Sequence, residues 1–401
     1  MKPKKEILNL SFPFLVLKIM QKIGILLPRS TFYETIGFDI FEGLRSGLKQ
    51  IGREDIKIIT ENISFGADKQ QCYRSAERLL LDENVDLVLA YIGHRTAELL
   101  KPLFLAANKM LIVLDAGANL PNEWPTCPNI FYHSLHNAFG AWLTSKKAVS
   151  DGYEKAGMIT GYYDGGYLQT YSLSKGFEEA GGVMHFNHAT GYKMEDFTME
   201  PLKDHLKQNP KSALISLFSG DYVQWYFAEI KKWFEDDNLP IYLTPFSMEE
   251  TMLENAIFPS NNVSGVISWS KNIDSSENNI FIEIIKNSGK TPNLFSLVGW
   301  EGAKIANKVL DLITEHKNKT SSIAADLLKF EFTGPRGNVF FDAKTNTSIS
   351  PLYEASIVDN NGMCELKLGS EIKNVKMEFD NLVQLDLNNV TSAWYNSYTC
   401  I

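Results

Sequence analysis

The feature that most constrains the fold is a regular alternation of short apolar runs with segments of helical periodicity, beginning at Lys22. The run KIGILLP (22–28) stops at a proline, as a buried strand of a parallel sheet would. Strands and helices that alternate in this way imply parallel sheets covered by helices. In this first unit the predicted strands are 22–28, 55–62, 85–93 and 109–117, and the predicted helices are 36–50, 68–83 and 96–108.

A second unit of the same type follows. Its predicted strands are 155–164, 183–192, 212–220, 239–246 and 265–271, and its predicted helices are 137–153, 167–181, 199–208, 222–236, 277–288 and 298–316. From Phe330 onward the chain is more β-like, and GNVFFDAKTNT and YEASIVDNNG predict hairpins around polar turns. A length of 401 residues suits two large domains. The sequence therefore predicts two α/β lobes on one continuous chain.

Charge and motifs exclude several classes of function. The chain has 39 basic and 48 acidic residues, a net charge of −9, which disfavours nucleic acid as the main partner. Its four cysteines form no CxxC pair, so a zinc ribbon or a disulfide-rich scaffold is not expected. Two HxxH pairs, His133/His136 and His185/His188, lack a convincing third ligand. We therefore expect no metal and no cofactor, and GxGxxG, GxxxxGK[ST] and GxSxG motifs are absent as well.

Residues 1–21 leave two interpretations open. A basic start precedes an apolar stretch, as in the first two regions of a signal peptide. The stretch is interrupted by Asn9, Pro13 and Lys18, and no small-x-small cleavage site follows it. An atypical export signal and a plain N-terminal extension fit equally well. The stretch is too short and too broken for stable insertion into a membrane.

Candidate ligand-binding residues follow from the position of loops relative to the predicted sheets. In open parallel sheets, ligands bind outside the carboxyl ends of the strands. Thr96 stands where a helix begins, and the free N–H groups there favour an anionic group. Tyr163, Tyr167 and Tyr222 can cover an apolar or amphipathic ligand. The candidate set, with no catalytic member, is Ser30, Tyr33, His94, Arg95, Thr96, Ala116, Gly117, Ala118, Tyr163, Tyr167, Tyr222 and Phe246.

The order and spacing of these blocks resemble the type I periplasmic binding proteins, specifically the leucine/isoleucine/valine-binding branch of the substrate-binding proteins of ABC transporters. KIGILLPRSTFYETIGFDIFEGLRSGL is similar to the opening strand, loop and helix of that family, and FTGPRGNVFFDAKTN to its closing segment. The likeness covers about 22–365. It implies two Rossmann-like, doubly wound α/β lobes joined by three crossover strands. The implied division is 22–134 with 272–329 for lobe 1, 135–271 with 330–365 for lobe 2, and extensions at 1–21 and 366–401.

The resemblance also implies a ligand. Members usually trap an amino acid or a small amide-like molecule between the lobes, so the expected ligand here is an amino acid, an amide or a small carboxylate. The positions matching the carboxylate site are Arg95, Thr96, Ala116 and Ala118. Tyr167 and Tyr222 correspond to covering aromatic residues. The acid that pairs with an α-ammonium falls at Phe246, and Arg95 replaces a small hydroxyl residue. An unpaired buried charge is costly, so an anionic or aromatic ligand fits better, unless Asp221 or Glu249 supplies the missing carboxylate.

Three hypotheses of function remain. The first is a binding protein that delivers a small molecule to an ABC permease, periplasmic by resemblance and a monomer or weak dimer. The second is a ligand sensor of the same fold, which the atypical signal would allow in the cytoplasm. The third is a doubly wound enzyme, for which the cleft loops offer only unpaired candidates such as His94 and Asp164.

Overall fold

The computed structural model describes residues 20–219, 221–235, 238–394 and 396–399. Most of the predicted N-terminal extension, residues 1–19, lies outside this part of the chain. The strands are β1 Lys22–Leu27, β2 Lys57–Asn62, β3 Leu87–Tyr91, β4 Met110–Asp115, β5 Ile130–Ser134, β6 Lys155–Thr160, β7 Val183–Ala189, β8 Ala213–Leu217, β9 Pro240–Leu243, β10 Asn262–Ile267, β11 Glu331–Gly334, β12 Gly337–Asp342, β13 Thr347–Ile349, β14 Tyr353–Asn360 and β15 Met363–Glu371. The helices are α1 Ile36–Gln50, α2 Lys69–Glu77, α3 His94–Ala107, α4 Asn137–Ser150, α5 Gln169–Glu179, α6 Glu200–Gln208, α7 Asp221–Phe234, α8 Glu250–Leu253, α9 Ser276–Asn287, α10 Leu294–Glu315, α11 Thr320–Leu327 and α12 Val375–Leu382.

Two sheets organise the chain into two lobes. The eight-stranded sheet of the first lobe has the order β11-β12-β13-β5-β4-β3-β1-β2, and the seven-stranded sheet of the second has the order β15-β14-β10-β9-β8-β6-β7. The apolar runs that predicted buried parallel strands do form them: every residue of β3 and β4 is buried, and the two strands pair in parallel. The two-lobe, doubly wound α/β prediction is therefore confirmed.

The segment after Phe330 is divided differently from the sequence expectation, which gave all of 330–365 to lobe 2. β13 pairs in parallel with β5, and β12 and β11 extend the same edge, so 331–349 belongs to the first lobe. The reason is apolar packing across the sheet, since the rings of Phe341 and Phe131 meet at 5.3 Å. β14 instead pairs with β10, and β15, which reaches Glu371, pairs with β14. The C-terminal extension therefore begins after Glu371 rather than at 366.

Within the described residues, the chain crosses from one sheet to the other three times, between β5 and α4, between β10 and α9, and between β13 and β14. A buried group that we call the hinge cluster, His133, Glu301 and Arg336, lies beside the first and third crossings. Arg336 Nη2 lies 2.6 Å from Glu301 Oε2, and His133 Nε2 lies 2.9 Å from the same oxygen. Arg336 Nη1 also donates to the Ser134 carbonyl at 3.1 Å. His133 Nδ1 lies 3.0 Å from Ser348 Oγ in β13, so the cluster contacts the chain beside both crossings.

Close helix packing positions the cleft side of the first lobe. A Cβ on Gly43 of α1 would lie 2.0 Å from the Ser296 carbonyl oxygen of α10, and one on Gly299 would lie 2.2 Å from the Ile40 oxygen. Only glycine permits this approach of the two backbones. The approach brings Phe295, at the start of α10, within 5.1 Å of the Tyr33 ring.

Among the described helices, none combines the length and apolar character that crossing a bilayer requires.

Candidate functional site

The first wall of the cleft is formed by the loop after β1. Ser30 Oγ accepts a hydrogen bond from the Tyr33 backbone N–H at 3.1 Å, which closes a tight turn and directs the tyrosine inward. The Tyr33 ring is 7% exposed and meets the rings of Phe295 and Tyr398 edge-on, each at 5.1 Å. Ser30 therefore acts on the cleft through the orientation of Tyr33.

The loop after β3 turns directly into α3 and separates three candidates in space. Arg95 reaches into the cleft, where its Nη2 donates to the Ser392 carbonyl at 2.5 Å and to Thr391 Oγ1 at 3.1 Å. His94 turns back onto the sheet, with its ring 4.3 Å from that of Tyr132 and its Nε2 3.4 Å from Asp115 Oδ2. Thr96 is buried in the first turn, which has no side-chain cap. The cationic group of this loop is thus Arg95.

The loop after β4 joins the cleft to the first crossing. Gly117 has a φ of +73°, and a Cβ there would lie 2.4 Å from Ser134 Oγ. Its carbonyl accepts from the Ala138 N–H at 2.6 Å, and the Ala116 carbonyl accepts from the Asn137 N–H at 3.1 Å. Ala116 and Ala118 are buried, 2% and 0% exposed. These small residues therefore couple the cleft floor to the start of α4.

The second wall comes from the lobe that begins with α4. Phe246, in a 3₁₀ turn after β9, is 1% exposed, and its ring meets that of Tyr167 at 5.6 Å. The Tyr167 hydroxyl donates to the Asn396 carbonyl at 3.1 Å. Tyr163 is 45% exposed, and its carbonyl accepts from Trp394 Nε1 at 2.6 Å. These three aromatic residues face a common segment of chain.

Tyr222, by contrast, packs within the second lobe. Its ring lies 4.9 Å from Trp225 and 6.4 Å from Phe197, and its hydroxyl donates to the Tyr192 carbonyl at 2.5 Å. It supports the aromatic side of α7. Gly220, in the same predicted loop, and the side chain of Asp221 lie outside the described part of the chain.

Two buried acids lie at the edge of the second wall. Asp164 accepts from Ser219 Oγ at 2.6 Å and from the Ser219 N–H at 2.9 Å, and burial raises its pKa to about 6. Glu249 caps α8 through the N–H groups of Thr251 and Met252, and burial raises its pKa to about 7. Both carboxyl groups hold loops in place. Among the described residues, no group of three His, Cys, Asp or Glu side chains could hold a metal.

Sequence reasoning missed the residue at the centre of the site, Tyr398. Its ring is 2% exposed and lies 4.4 Å from Phe246, 5.1 Å from Tyr33 and 5.4 Å from Phe295. Asn137 Nδ2 donates to its hydroxyl at 3.2 Å. We call Tyr33, Phe246, Phe295 and Asn137 the phenol cage. The aromatic-rich sequence around Trp394 was the signal available for this segment, and Asn137 and Phe295 carried none that distinguishes them from packing residues.

The sequence profile of the periplasmic binding proteins matches residues 20–362. The chain belongs to this family. Its role is accordingly that of a substrate-binding protein, with a two-lobe fold that belongs to binding proteins rather than to enzymes. Among curated proteins, none matches the sequence.

Solved structures share the fold at low sequence identity. An ABC transporter substrate-binding protein from Sphaerobacter thermophilus is 18% identical, with a TM-score of 0.75, covering 88% of this chain and 97% of that one. An ABC transporter solute binding protein from Rhodopseudomonas palustris, in complex with 4-hydroxybenzoate, is 18% identical with a TM-score of 0.73 and the same coverage. A leucine-binding protein from Thermotoga maritima is 14% identical, with a TM-score of 0.61, covering 89% of this chain and 99% of that one.

Proposed function

We propose that the protein captures a small aromatic carboxylate between its lobes and delivers it to an ABC permease. The observation that carries this proposal is the phenol cage, which surrounds a hydroxyphenyl ring with aromatic side chains from both lobes and places an amide N–H on its hydroxyl. Edge-to-face aromatic contacts contribute about 0.5–1.5 kcal/mol each beyond area burial. A free phenol-bearing ligand therefore matches both the shape and the polarity of the cage.

Arg95 supplies the cationic end of such a ligand site. Its guanidinium reaches a carbonyl oxygen inside the cleft, and it stands on the uncapped first turn of α3. Guanidinium groups bind carboxylates through charge-assisted hydrogen bonds, and the N–H groups of a helix's first turn favour negative charge.

Phe246 argues against an α-amino acid ligand. It occupies the position at which the family resemblance places an acid, and it is 1% exposed within an aromatic wall. An ammonium group buried beside it would lose its hydration without gaining a carboxylate partner. The nearby Glu249 is already engaged in capping α8. The ligand of the related Rhodopseudomonas palustris protein, 4-hydroxybenzoate, carries the same hydroxyphenyl group as the Tyr398 side chain and supports this ligand class.

Isothermal titration calorimetry with 4-hydroxybenzoate, benzoate, benzamide and leucine tests the proposal. We expect 4-hydroxybenzoate to bind at least tenfold more tightly than leucine. In Arg95→Gln, the ratio of benzoate to benzamide affinity should fall about tenfold, because benzamide is the uncharged analogue. Affinity ratios are compared because a competing occupant of the cleft would weaken the binding of every ligand by the same factor, and that factor cancels in a ratio. Tighter binding of leucine, or an unchanged ratio in Arg95→Gln, would overturn the assignment.

Location and partner form part of the same proposal. In this proposal the protein acts outside the cytoplasm, as a monomer or weak dimer. Fractionation of host cells distinguishes this role from that of a cytoplasmic sensor. Protein recovered only in the cytoplasm would favour the sensor.

A further inference from the structure

The C-terminal extension is anchored to the second lobe before it reaches the cleft. The Ile372 N–H donates to the Leu352 carbonyl at 2.8 Å. α12 then packs on α4, where the Phe379 ring lies 5.5 Å from Phe139 and Glu378 lies 2.7 Å from Lys146. The anchor fixes where the remaining chain starts.

Beyond α12 the extension runs between the lobes and is held by both. Asn122 of the first lobe donates to the Leu385 carbonyl at 3.1 Å, and Tyr171 of the second donates to the Asp386 carbonyl at 2.6 Å. The same two-sided contact recurs further along. Arg95 donates to the Ser392 carbonyl, while the Ala393 N–H donates to the Gly166 carbonyl at 2.9 Å.

Inside the cleft, Asn396 and Tyr398 contact both lobes. Asn396 Nδ2 donates to the Tyr91 carbonyl of the first lobe at 3.1 Å, and its own carbonyl accepts from Tyr167 of the second. Tyr398 has a φ of +63°, which is costly for a bulky residue and persists only where surrounding contacts outweigh it. The phenol cage supplies those contacts.

We infer that residues 391–394 and 396–399, which we call the tail, are an internal competitive ligand, which closes the lobes on itself and must leave before a free substrate can enter. The inference rests on the proposed function, because it regulates the same site. The family match ends at residue 362, so this segment lies outside the part that the family shares. The apparent affinity for a free substrate is proportional to the fraction of molecules whose cleft is open. A tail that fills nine clefts in ten therefore weakens every ligand tenfold.

A ligand-free measurement tests lobe closure by itself. Tyr398→Ala removes the caged ring, and Met377→Ala, which is 54% exposed on α12 of the same extension, is the matched control. Small-angle X-ray scattering without ligand should give a larger radius of gyration for Tyr398→Ala than for wild type and Met377→Ala. Equal radii for all three proteins would show that the tail does not hold the lobes together.

Calorimetric titration of the same three proteins with 4-hydroxybenzoate tests competition. We expect binding to Tyr398→Ala to be at least tenfold tighter than to wild type, and binding to Met377→Ala to be unchanged. Equal affinity in all three would overturn the inference and leave the proposed function standing. Absence of binding in every protein, with an enlarged Tyr398→Ala, would instead overturn the aromatic ligand while keeping the internal one.

A truncation after Val390 provides a second variant, checked for folding by circular dichroism. A synthetic peptide of residues 391–399 should bind to it and compete with 4-hydroxybenzoate. The peptide carrying Tyr398→Ala should bind at least tenfold more weakly. Equal binding of the two peptides would show that the phenol cage does not recognise the tail.

Discussion

Replacing Glu301 by glutamine tests the hinge cluster. Glu301 and Arg336 are both 0% exposed, and the guanidinium contacts the carboxylate through Nη2 at 2.6 Å and Nε at 3.0 Å. Burial by itself would raise the pKa of Glu301, but Arg336 and His133 overcome it and hold the pKa at about 2 instead of 4.5. Glu301→Gln removes the negative charge and leaves the arginine buried without its partner.

The expected loss of stability follows from this lowered pKa. A fall in pKa from 4.5 to about 2, at about 1.4 kcal/mol for each pKa unit, corresponds to ~3 kcal/mol of stabilisation from the ionised carboxylate. Breaking a buried pair by removing one partner costs about 3–5 kcal/mol, in agreement. We therefore expect Glu301→Gln to lower the free energy of unfolding at pH 7 by ~3 kcal/mol.

The free energy of unfolding should also depend on pH because of Glu301. The folded pKa lies below the unfolded one, so this stabilisation is complete above about pH 4.5 and is lost as the pH falls toward 2. Glu301→Gln should lack this part of the acid sensitivity, and its difference from wild type should shrink as the pH falls from 4.5 toward 2.

Urea unfolding followed by circular dichroism measures both effects. The matched control is Glu178→Gln, whose partner Lys175 lies 2.8 Å away in a pair with both side chains at least 40% exposed. Exposed pairs contribute about 0–1 kcal/mol, so the control should stay close to wild type. A Glu301→Gln protein within 1 kcal/mol of wild type at pH 7, or with wild-type acid sensitivity, would refute the reasoning.

Three further outcomes are expected. Gly117→Ala should destabilise by about 1–3 kcal/mol in urea titrations, more than Gly52→Ala, because both have positive φ but only Gly117 has atoms in the path of a Cβ. Phe379→Ala should lower the free energy of unfolding by about 3–5 kcal/mol, because the ring is fully buried. If α12 instead detaches from α4, proteolysis of the extension should become faster. Because the pKa of Asp164 is raised in the folded protein, wild type should lose stability as the pH rises from about 4 to 6. Asp164→Asn should not show this loss. Identical dependence of stability on pH in the two proteins would contradict the prediction.

The fold was accessible to sequence reasoning where local patterns decide it. Apolar runs such as VDLVLAYIG predict buried strands, because both faces of a parallel sheet are covered. β5 was missed since IFYHS is short and lies between polar loops. The hairpin at 337–349 was recognised, but its sheet was not, because pairing with β5 joins residues more than 200 positions apart.

The site was accessible only in outline. Loop positions follow from the carboxyl ends of strands, and the structure brings Tyr33, Arg95, Tyr167 and Phe246 onto one segment of chain. The direction of a side chain does not follow from them, which is why His94 turns to the sheet and Tyr222 to α7. Nothing in a local pattern indicates that Tyr398 enters the cleft, because its partners come from four distant parts of the sequence.

The anchoring of α12 on α4 affects the equilibrium between the tail and a free substrate. About sixteen residues separate Leu382 from Tyr398, a length that spans at most ~55 Å when extended. A tail that leaves the cleft therefore remains tethered at an effective concentration on the order of millimolar, however dilute the protein is. The substrate concentration needed for half-occupancy is then a property of a single molecule, independent of how much protein the cell makes. Substitutions in the tail can adjust this concentration without altering the residues of the cleft.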